Sequence, residues 1–484
     1  MDRSQMNLRW KELALAGMVK GAQFALHVPI VRDYVVDRLI AWLGESYDTC
    51  TPEHEADKLM HVRWLGPHLL PFLQRLIRER PAAARAVLRF LATWIADMYR
   101  RKVYREAGAV NTCTVVIEPT DRCNLACPGC YARSTKEGSD LSYEQMVDIC
   151  RQVVDMGVSL ITISGGEPFL REKQDQTLTR LARHFHDRAF MVYSNGTMID
   201  EEIAERLGNV GNIFPAISVE GFEHQTDQRR GQGIYEQNRR VRQLLARYGV
   251  LTGFSATLTS KNVESICTDE FIDLRIKEGD LFGWFFMMHP IGRAPRVDLM
   301  LSAAQRTLVR QTIWRWRAEK RPIFLGDFWN DGHLTGGCIA GGRCYFHIYA
   351  NGDISPCVFT PIAAGNIFDI IQGRSRYGSL DDFVQNNPVF KAFRDEQDKI
   401  KDRDRPCLLI DHPGAFRRIV ATCADCRPAK NMPPGYLDGD IARKFDQVAK
   451  EWAEAKLPPL PAEVERSGLK AKEDMQQATA AAGQ

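Results

Sequence analysis

Cys123-Asn-Leu-Ala-Cys127-Pro-Gly-Cys130 places three thiols within eight residues of the chain. A loop of this length folds back on itself, so its three thiolates can converge on one metal cluster. Cysteine thiolates are the usual protein ligands of iron–sulfur clusters. No fourth ligand follows nearby, and a four-iron cluster with three protein ligands keeps one iron open, as a catalytic metal requires. A zinc site completed by a distant residue is the alternative interpretation.

The three-cysteine loop follows the first of six predicted strands, which alternate with amphipathic stretches such as 143–156 and 235–248. The predicted strands are Thr114–Glu118, Ser159–Ile163, Phe190–Tyr193, Ala216–Glu220, Gly253–Leu258 and Trp284–Met288. Successive βα units with right-handed crossovers predict an α/β fold in which a parallel sheet curls into a partial (β/α)6, TIM-like barrel. The chemistry of such barrels lies on loops at the carboxyl ends of the strands.

Motifs that suit a binding site follow the next three predicted strands. The second strand is followed by Ser164-Gly165-Gly166-Glu167-Pro168, in which the glycines permit close approach of the backbone to a ligand and the glutamate can accept a hydrogen bond from an ammonium group. The third strand ends in Ser194-Asn195-Gly196 and the fourth in Ser218-Val219-Glu220-Gly221, with Arg229-Arg230-Gly231 beyond it. Each motif alone also fits a turn or a pair of solvated charges. Their shared position after strands favours one site.

A CxxxCxxC motif directly after the first strand of a (β/α) barrel resembles the radical S-adenosylmethionine (SAM) superfamily. The resemblance implies that Cys123, Cys127 and Cys130 hold a [4Fe-4S] cluster whose open iron chelates the amino and carboxylate groups of SAM. It implies an enzyme, of oxidoreductase or transferase type, that cleaves SAM with one electron to methionine and a 5′-deoxyadenosyl radical, which abstracts hydrogen from an unidentified substrate. A reductase such as flavodoxin or ferredoxin is the implied electron donor. Many members have an aromatic residue just before the third cysteine, where this chain has Gly129.

The same resemblance assigns contacts with SAM to the motifs after the later strands. The implied contacts are Gly165, Gly166, Glu167, Pro168, Ser194, Asn195, Ser218, Glu220 and Arg230. The GGEP-like stretch is expected at the SAM amino group, and Arg230 at the SAM carboxylate as a bidentate clamp. Glu220, a longer acid than the aspartate common in the family, is expected at the ribose or the substrate. His289, after the sixth strand, either lines the adenine side or is structural.

Six more cysteines lie between residues 338 and 426. Residues 348–357 predict a β-hairpin, because Asn351-Gly352 at its centre is a strong two-residue turn signal. Cysteines that flank a hairpin, followed by a Cys-x-x-Cys pair, resemble the SPASM or shorter twitch extension, which implies one auxiliary [4Fe-4S] cluster. The implied ligands are Cys338, Cys357, Cys423 and Cys426, with Cys407 as a competitor for one position. A zinc site of Cys₄ type is the alternative.

The sequence pattern divides the chain into five segments. They are a helical N-terminal domain (1–108), the barrel (109–290), a linker with one helix at 303–317 (291–335), a SPASM/twitch-like auxiliary-cluster domain (336–430), and a final helix with a disordered tail (431–484). The N-terminal helices are expected to pack on the rest of the protein. A substrate-docking or membrane-surface element is the alternative, which leaves peripheral membrane contact open.

The composition argues against several other classes of protein. A net charge of +3 over 484 residues gives no reason to expect nucleic acid as a partner. No stretch reaches the roughly 18 apolar residues of a membrane span, and the N-terminus lacks the pattern of a secretory signal, so a cytoplasmic location is expected. The substrate stays open among peptides or proteins, tetrapyrroles or other small molecules, and lipids. A non-catalytic iron–sulfur or zinc protein, for electron transfer or scaffolding, is the alternative function, although such a protein has no need for an open iron or a GGEP-like stretch.

Overall fold

The structure, a computed structural model, describes residues 66–87, 89–90, 93, 109–110 and 112–458. The helices predicted before residue 66 and the tail predicted after residue 458 lie outside the described residues. Among the helices of the described ranges, none combines the length and the apolar character that crossing a bilayer demands.

A parallel sheet forms the centre of the molecule. Its strands and the short strands beside it are β1 (Thr114–Ile117), β2 (Leu160–Ile163), β3 (Ala189–Ser194), β4 (Ile213–Val219), β5 (Gly253–Leu258), β6 (Phe282–Met287), β7 (Phe324–Asp327), β8 (Tyr345–Ile348), β9 (Asp353–Ser355), β10 (Ile362–Ala363), β11 (Gly365–Asn366) and β12 (Arg427–Pro428). β1 pairs in parallel with β2 on one side and with β8 on the other, so Ile117 lies beside both Ile163 and Ile348. The order β8-β1-β2-β3-β4-β5-β6-β7 is parallel throughout, and β9 and β11 extend the β8 edge in antiparallel fashion.

This open parallel barrel confirms the predicted fold class. β1–β6 are the six predicted strands, and β5 has the predicted bounds. Two further strands flank them, since β7 pairs with β6 and β8 pairs with β1. β7 lies in the segment interpreted as a linker; its sequence, Phe-Leu-Gly-Asp, is short and contains two residues that are depleted in strands. Between β7 and β8 no strand pairing joins described residues, and we call this gap the seam of the barrel.

Helices follow most of the barrel strands and pack apolar side chains on the sheet. Their bounds are α1 (Gly66–Glu79), α2 (Tyr143–Asp155), α3 (Phe169–Asp175), α4 (Thr177–His184), α5 (Glu201–Val210), α6 (Glu223–Arg230), α7 (Ile234–Arg247), α8 (Val263–Ile266), α9 (Asp269–Lys277), α10 (Ala303–Ala318), α11 (Gly332–Thr335), α12 (Ile367–Ile371), α13 (Leu380–Asn386), α14 (Pro388–Lys399), α15 (Pro413–Thr422) and α16 (Asp440–Glu454). α2 begins at a capping box, in which Ser142 and Gln145 each accept a hydrogen bond from the other's backbone N–H. The predicted hairpin is present as β8 and β9.

The described part of the N-terminal region closes the amino-terminal mouth of the barrel. Leu76 of α1 and Ala83, which follows it, pack against Ala189 and Phe282, the first residues of β3 and β6. The Arg75 guanidinium donates hydrogen bonds to the carbonyls of Asp280 and of Ile276 in α9. The predicted packing of N-terminal helices on the barrel is therefore observed for α1.

Candidate active site

The motifs that follow the strands surround one cavity of about 270 Å³ at the carboxyl ends of the barrel strands. The predicted cluster ligands and SAM contacts that line it, together with His289, are Cys123, Cys127, Cys130, Gly165, Gly166, Glu167, Ser194, Asn195, Ser218 and Arg230. Pro168 and Glu220 are buried behind this wall. The side chains predicted to share a site thus lie together, as expected for loops at one end of a parallel barrel.

The three-cysteine loop offers hydrogen-bond donors to a sulfur atom. The backbone N–H of Leu125 lies 3.5 Å from Cys123 Sγ, and Asn195 Nδ2 lies 3.8 Å from the same atom. Burial and, after it, the negative charges of Glu167 and of the other two thiolates raise the pKa of the Cys123 thiol to about 12, although the N–H of Leu125 opposes the rise. In these surroundings the thiolate form is stable near neutral pH only when a metal cation binds the sulfur, and cluster iron is such a cation.

The three thiols of the loop line the wall of the same cavity. Cysteine thiolates are the usual protein ligands of iron–sulfur clusters. The donor set therefore fits a cluster.

Gly165 and Gly166 allow the GGEP-like loop to pack against the segment that precedes Cys123. A Cβ atom on Gly166 would lie 1.9 Å from the carbonyl oxygen of Arg122, and one on Gly165 would lie 2.7 Å from that of Thr120. Gly166 N donates to the Thr120 carbonyl over 2.9 Å, and Glu167 N donates to the Arg122 carbonyl over 2.8 Å. The glycines were expected to allow the backbone to approach a ligand. In this structure they also allow the GGEP-like loop to approach the segment before Cys123.

The Glu167 carboxylate joins the loops after β2 and β3. It accepts hydrogen bonds from Ser194 Oγ at 2.8 Å, from Asn195 N at 2.7 Å and from Phe169 N at 3.1 Å. Burial raises the pKa of Glu167 to about 7, although these three donors oppose the rise. Glu167 thus fixes Asn195, whose side chain reaches Cys123.

Glu220 holds both arginines of the Arg-Arg-Gly motif. Its Oε1 accepts from Arg229 and from Arg230 Nε, the latter over 2.7 Å, while its buried Oε2 has no hydrogen-bond partner. The arginine side chains are only 14% and 11% exposed, so neither is a solvated surface charge. Burial lowers the pKa of Arg230, but Glu220 and then the thiolates of Cys127 and Cys130 raise it above its ordinary value. The second carboxylate oxygen, Oε2, is buried and belongs to no residue of the cavity lining.

His289 is part of the protein core as well as of the cavity wall. Its Nε2 lies 2.8 Å from the Tyr436 hydroxyl, and its ring stacks on Phe445 at 5.1 Å. Burial lowers the pKa of His289 to about 3, so the ring is neutral near pH 7. These contacts favour the structural interpretation of His289.

Several groups that the sequence did not reveal line the cavity or lie close to the three-cysteine loop. The Tyr131 hydroxyl lies 2.5 Å from Ser164 Oγ, and Lys430 Nζ lies 3.0 Å from Glu118 Oε2 at the end of β1. The inner part of the cavity is mainly apolar, and its side chains include Val116, Leu160, Met191, Tyr193, Trp284, Phe286, Phe328 and Phe359. Lys430 and Glu118 are 312 positions apart, so no local pattern could have indicated their contact.

The later cysteines fall into two groups. Cys338, Cys357 and Cys407 line a second cavity of about 270 Å³ at the seam. This cavity shares wall residues with the first one, among them Phe328, Phe359 and Tyr345. Cys423 and Cys426 do not line it and adjoin each other, since Cys426 N donates to the Cys423 carbonyl at 3.0 Å. The structure therefore brings Cys407 to Cys338 and Cys357 and leaves the Cys-x-x-Cys pair outside the cavity.

Comparisons with known proteins agree with this fold and site. Residues 117–268 match the model of the radical SAM superfamily. The chain is 25% identical to the AdoMet-dependent heme synthase of Methanosarcina barkeri over 66% of its own length and 93% of that protein. It is 28% identical to the mycofactocin maturase MftC of Mycolicibacterium smegmatis over 66% of its length and 80% of the maturase. The structure of native anSMEcpe with bound AdoMet superposes with a TM-score of 0.51 at 19% identity, over 73% of this chain and 99% of that one, which shows a shared fold.

An open parallel barrel with a three-cysteine loop after its first strand defines a class of enzymes that use an iron–sulfur cluster and SAM. The chain contains a radical SAM domain at residues 117–268. It is a radical SAM enzyme, with a [4Fe-4S] cluster and SAM as cofactors, and it cleaves SAM reductively.

Proposed function

We propose that Cys123, Cys127 and Cys130 are the ligands of the catalytic [4Fe-4S] cluster and that SAM binds beside them in the first cavity. The observation that carries this assignment is the position of all three thiols on the same cavity wall as Asn195 and Arg230. When bound, the cluster and SAM supply the one-electron cleavage that yields a 5′-deoxyadenosyl radical. The apolar interior of the cavity excludes water from the reacting atoms.

The surrounding side chains hold SAM through its polar groups. Glu220 holds Arg230 through Nε and Nη2, which leaves the N–H groups of Nη1 for the SAM carboxylate. Glu220, which lies behind the cavity wall, acts by holding Arg229 and Arg230 in place. Gly165 and Gly166 form the wall at the SAM amino group, with Pro168 buried behind them, while Ser194, Asn195 and Ser218 form the wall at the ribose.

We infer that the second cavity is the site of one auxiliary [4Fe-4S] cluster. Cys338, Cys357 and Cys407 line it, so three thiolates are available there. Burial raises the pKa of the Cys357 thiol to about 11, which the Tyr345 hydroxyl and Phe359 N oppose by donating to Sγ. Such donors suit a metal-bound thiolate. Cys423 or Cys426 supplies the fourth thiolate if the segment around them moves toward the cavity.

The substrate group that enters the cavity is uncharged, and we infer that it is a side chain of a peptide or protein. The charged residues of the lining are Glu167, Arg229 and Arg230, and each is already bonded to a protein group. Because Arg230 is assigned to the SAM carboxylate and Arg229 is bonded to Glu220, no cation of the described lining is left for the carboxylates of a tetrapyrrole. The relative named as a maturase agrees with this inference better than the relative named as a heme synthase.

The electron donor and the location follow from the chemistry. A low-potential carrier such as flavodoxin or ferredoxin is the expected reductase, because the cluster needs one electron at a time. A reduced cluster with an open iron requires a reducing compartment, which the cytoplasm provides.

Anaerobic reconstitution tests the catalytic site. With dithionite and SAM, the protein should form 5′-deoxyadenosine, measured by liquid chromatography and mass spectrometry, and Cys127→Ala should reduce the yield to background. Cys150→Ala, at a fully buried cysteine of α2, is the matched control and should keep the product. A Cys127→Ala protein that still forms 5′-deoxyadenosine would contradict the assignment. Failure of the wild-type protein to change its cluster spectrum with SAM would favour a non-catalytic electron-transfer protein.

A further inference from the structure

The hydroxyl of Tyr345 lies at the boundary between the two cavities. Tyr345 begins β8, is 2% exposed, and lines both cavities. Its hydroxyl oxygen lies 2.7 Å from Cys357 Sγ and 3.3 Å from the backbone N of Val358. Since the N–H of Val358 can only donate, the hydroxyl accepts from it and has its own proton directed to the sulfur.

We propose that Tyr345 is a positioning residue that donates a hydrogen bond to the Cys357 thiolate and thereby raises the reduction potential of the auxiliary cluster. The proposal rests on the inferred auxiliary cluster, whose ligands include Cys357. One-electron reduction adds negative charge to a cluster, and a donor directed at a ligand sulfur stabilises the more negative state. Removing the donor therefore makes reduction harder.

Packing alone does not account for a tyrosine at this position. The ring packs against Phe328 with centroids 5.8 Å apart, a contact that phenylalanine would also make. The hydroxyl is the part that phenylalanine lacks, and its contacts are Cys357 and the N–H that follows it in the chain. Phe359 N is a second donor to Sγ at 3.4 Å, so the sulfur keeps one hydrogen bond when Tyr345 is replaced.

Tyr349 provides a matched control four residues further along the chain. It is also almost fully buried, at 1% exposure, and its hydroxyl donates to Asn431 Oδ1 at 3.1 Å rather than to a sulfur. Tyr349→Phe therefore removes one buried hydroxyl without removing a donor to Cys357. If loss of any buried hydroxyl shifted the midpoint potential of the auxiliary cluster, the shift should be equal in Tyr345→Phe and Tyr349→Phe.

The test is a redox titration of the reconstituted full-length protein, followed by electron paramagnetic resonance at the auxiliary cluster. We expect Tyr345→Phe to shift its midpoint potential to a more negative value and Tyr349→Phe to leave it unchanged. A difluorotyrosine at position 345 keeps the volume and is a stronger donor, so it should shift the potential to a more positive value. The signal of the catalytic cluster should stay in place in all three proteins.

The possible outcomes separate this inference from the proposed function. An unchanged potential in Tyr345→Phe, or an equal shift in Tyr349→Phe, would overturn the role of Tyr345. If Tyr345→Phe fails to take up the second cluster, the fluorotyrosine protein decides, and an unchanged potential there overturns the proposal. About four irons per chain in the wild-type protein, instead of about eight, would refute the auxiliary site and the inference with it, while formation of 5′-deoxyadenosine would still support the catalytic site.

Discussion

Lys430 contacts two acidic residues in the segment between β1 and the first cysteine of the three-cysteine loop. Its Nζ lies 3.0 Å from Glu118 Oε2 and 3.1 Å from Asp121 Oδ2, and Glu118 has no exposed surface. The neighbouring Asn431 donates to the carbonyl of Tyr131, directly after the third cysteine. A segment close to β12 is thus bonded to both ends of the loop.

Replacing Lys430 should destabilise the protein strongly. Lys430→Met leaves the buried Glu118 carboxylate without its main counter-charge, which costs about 3–5 kcal/mol. Thermal unfolding of the anaerobic protein measures the loss, and Lys450→Met, at an exposed lysine of α16, should unfold like the wild type. Adding Glu118→Gln should restore part of the stability, because the unpaired charge is gone. Additive losses in the double variant would refute this account of the pair.

The same pair sets a pH dependence. Burial by itself would raise the pKa of Glu118, but Lys430 and then His347 outweigh it and lower the pKa to about 2, below the ordinary value of 4.5. A pKa that is lower in the folded state stabilises the fold at neutral pH. This stabilisation is complete above about pH 4.5 and is lost as the pH falls toward 2.

At the scale of elements, the contact between the GGEP-like loop and the three-cysteine loop governs the site. Gly166→Ala should abolish assembly of the catalytic cluster, because its Cβ would lie 1.9 Å from the carbonyl oxygen of Arg122 and both loops would have to move. Overpacking of this kind lowers the free energy of unfolding by about 1–3 kcal/mol. Here it also displaces the loop that binds iron. Iron content and 5′-deoxyadenosine yield measure the effect, and we expect at least a ~10-fold loss of product. Gly378→Ala is the control, since its Cβ would meet no atom within 4 Å; equal behaviour of the two variants would contradict the argument.

The same scale shows how far the sequence could lead. The strand before the three-cysteine loop and the motifs after β2–β4 were predictable, because apolar runs and Gly-rich turns are local signals. β7 was missed because four residues that include Gly326 and Asp327 do not form a recognisable strand pattern. The placement of Cys407 and the contact of Lys430 with Glu118 depend on how distant segments pack. No spacing rule contains that information.

At the scale of the whole molecule, α1 forms the floor of the barrel. Leu76 is 1% exposed and packs with residues at the amino ends of the strands. Leu76→Ala should lower the free energy of unfolding by about 2–5 kcal/mol, as for other buried leucines. Thermal unfolding measures the change, and Arg85→Ala, at an exposed position of the same region, should have little effect. If the two variants unfold at the same temperature, the floor contributes little to stability.

The pairing of β8 with β1 limits how far this enzyme can be shortened from its carboxyl terminus. β8 lies in the segment assigned to the auxiliary-cluster domain, yet it runs beside the whole length of the strand that leads into the catalytic loop. A truncation at residue 335 would strip that strand of one neighbour and expose its backbone N–H and C=O groups to other chains. The carboxyl-terminal third is therefore not an accessory to be cut off or exchanged at will. A chimera that joins a foreign extension to this barrel needs a strand that pairs with β1 in the same register as β8.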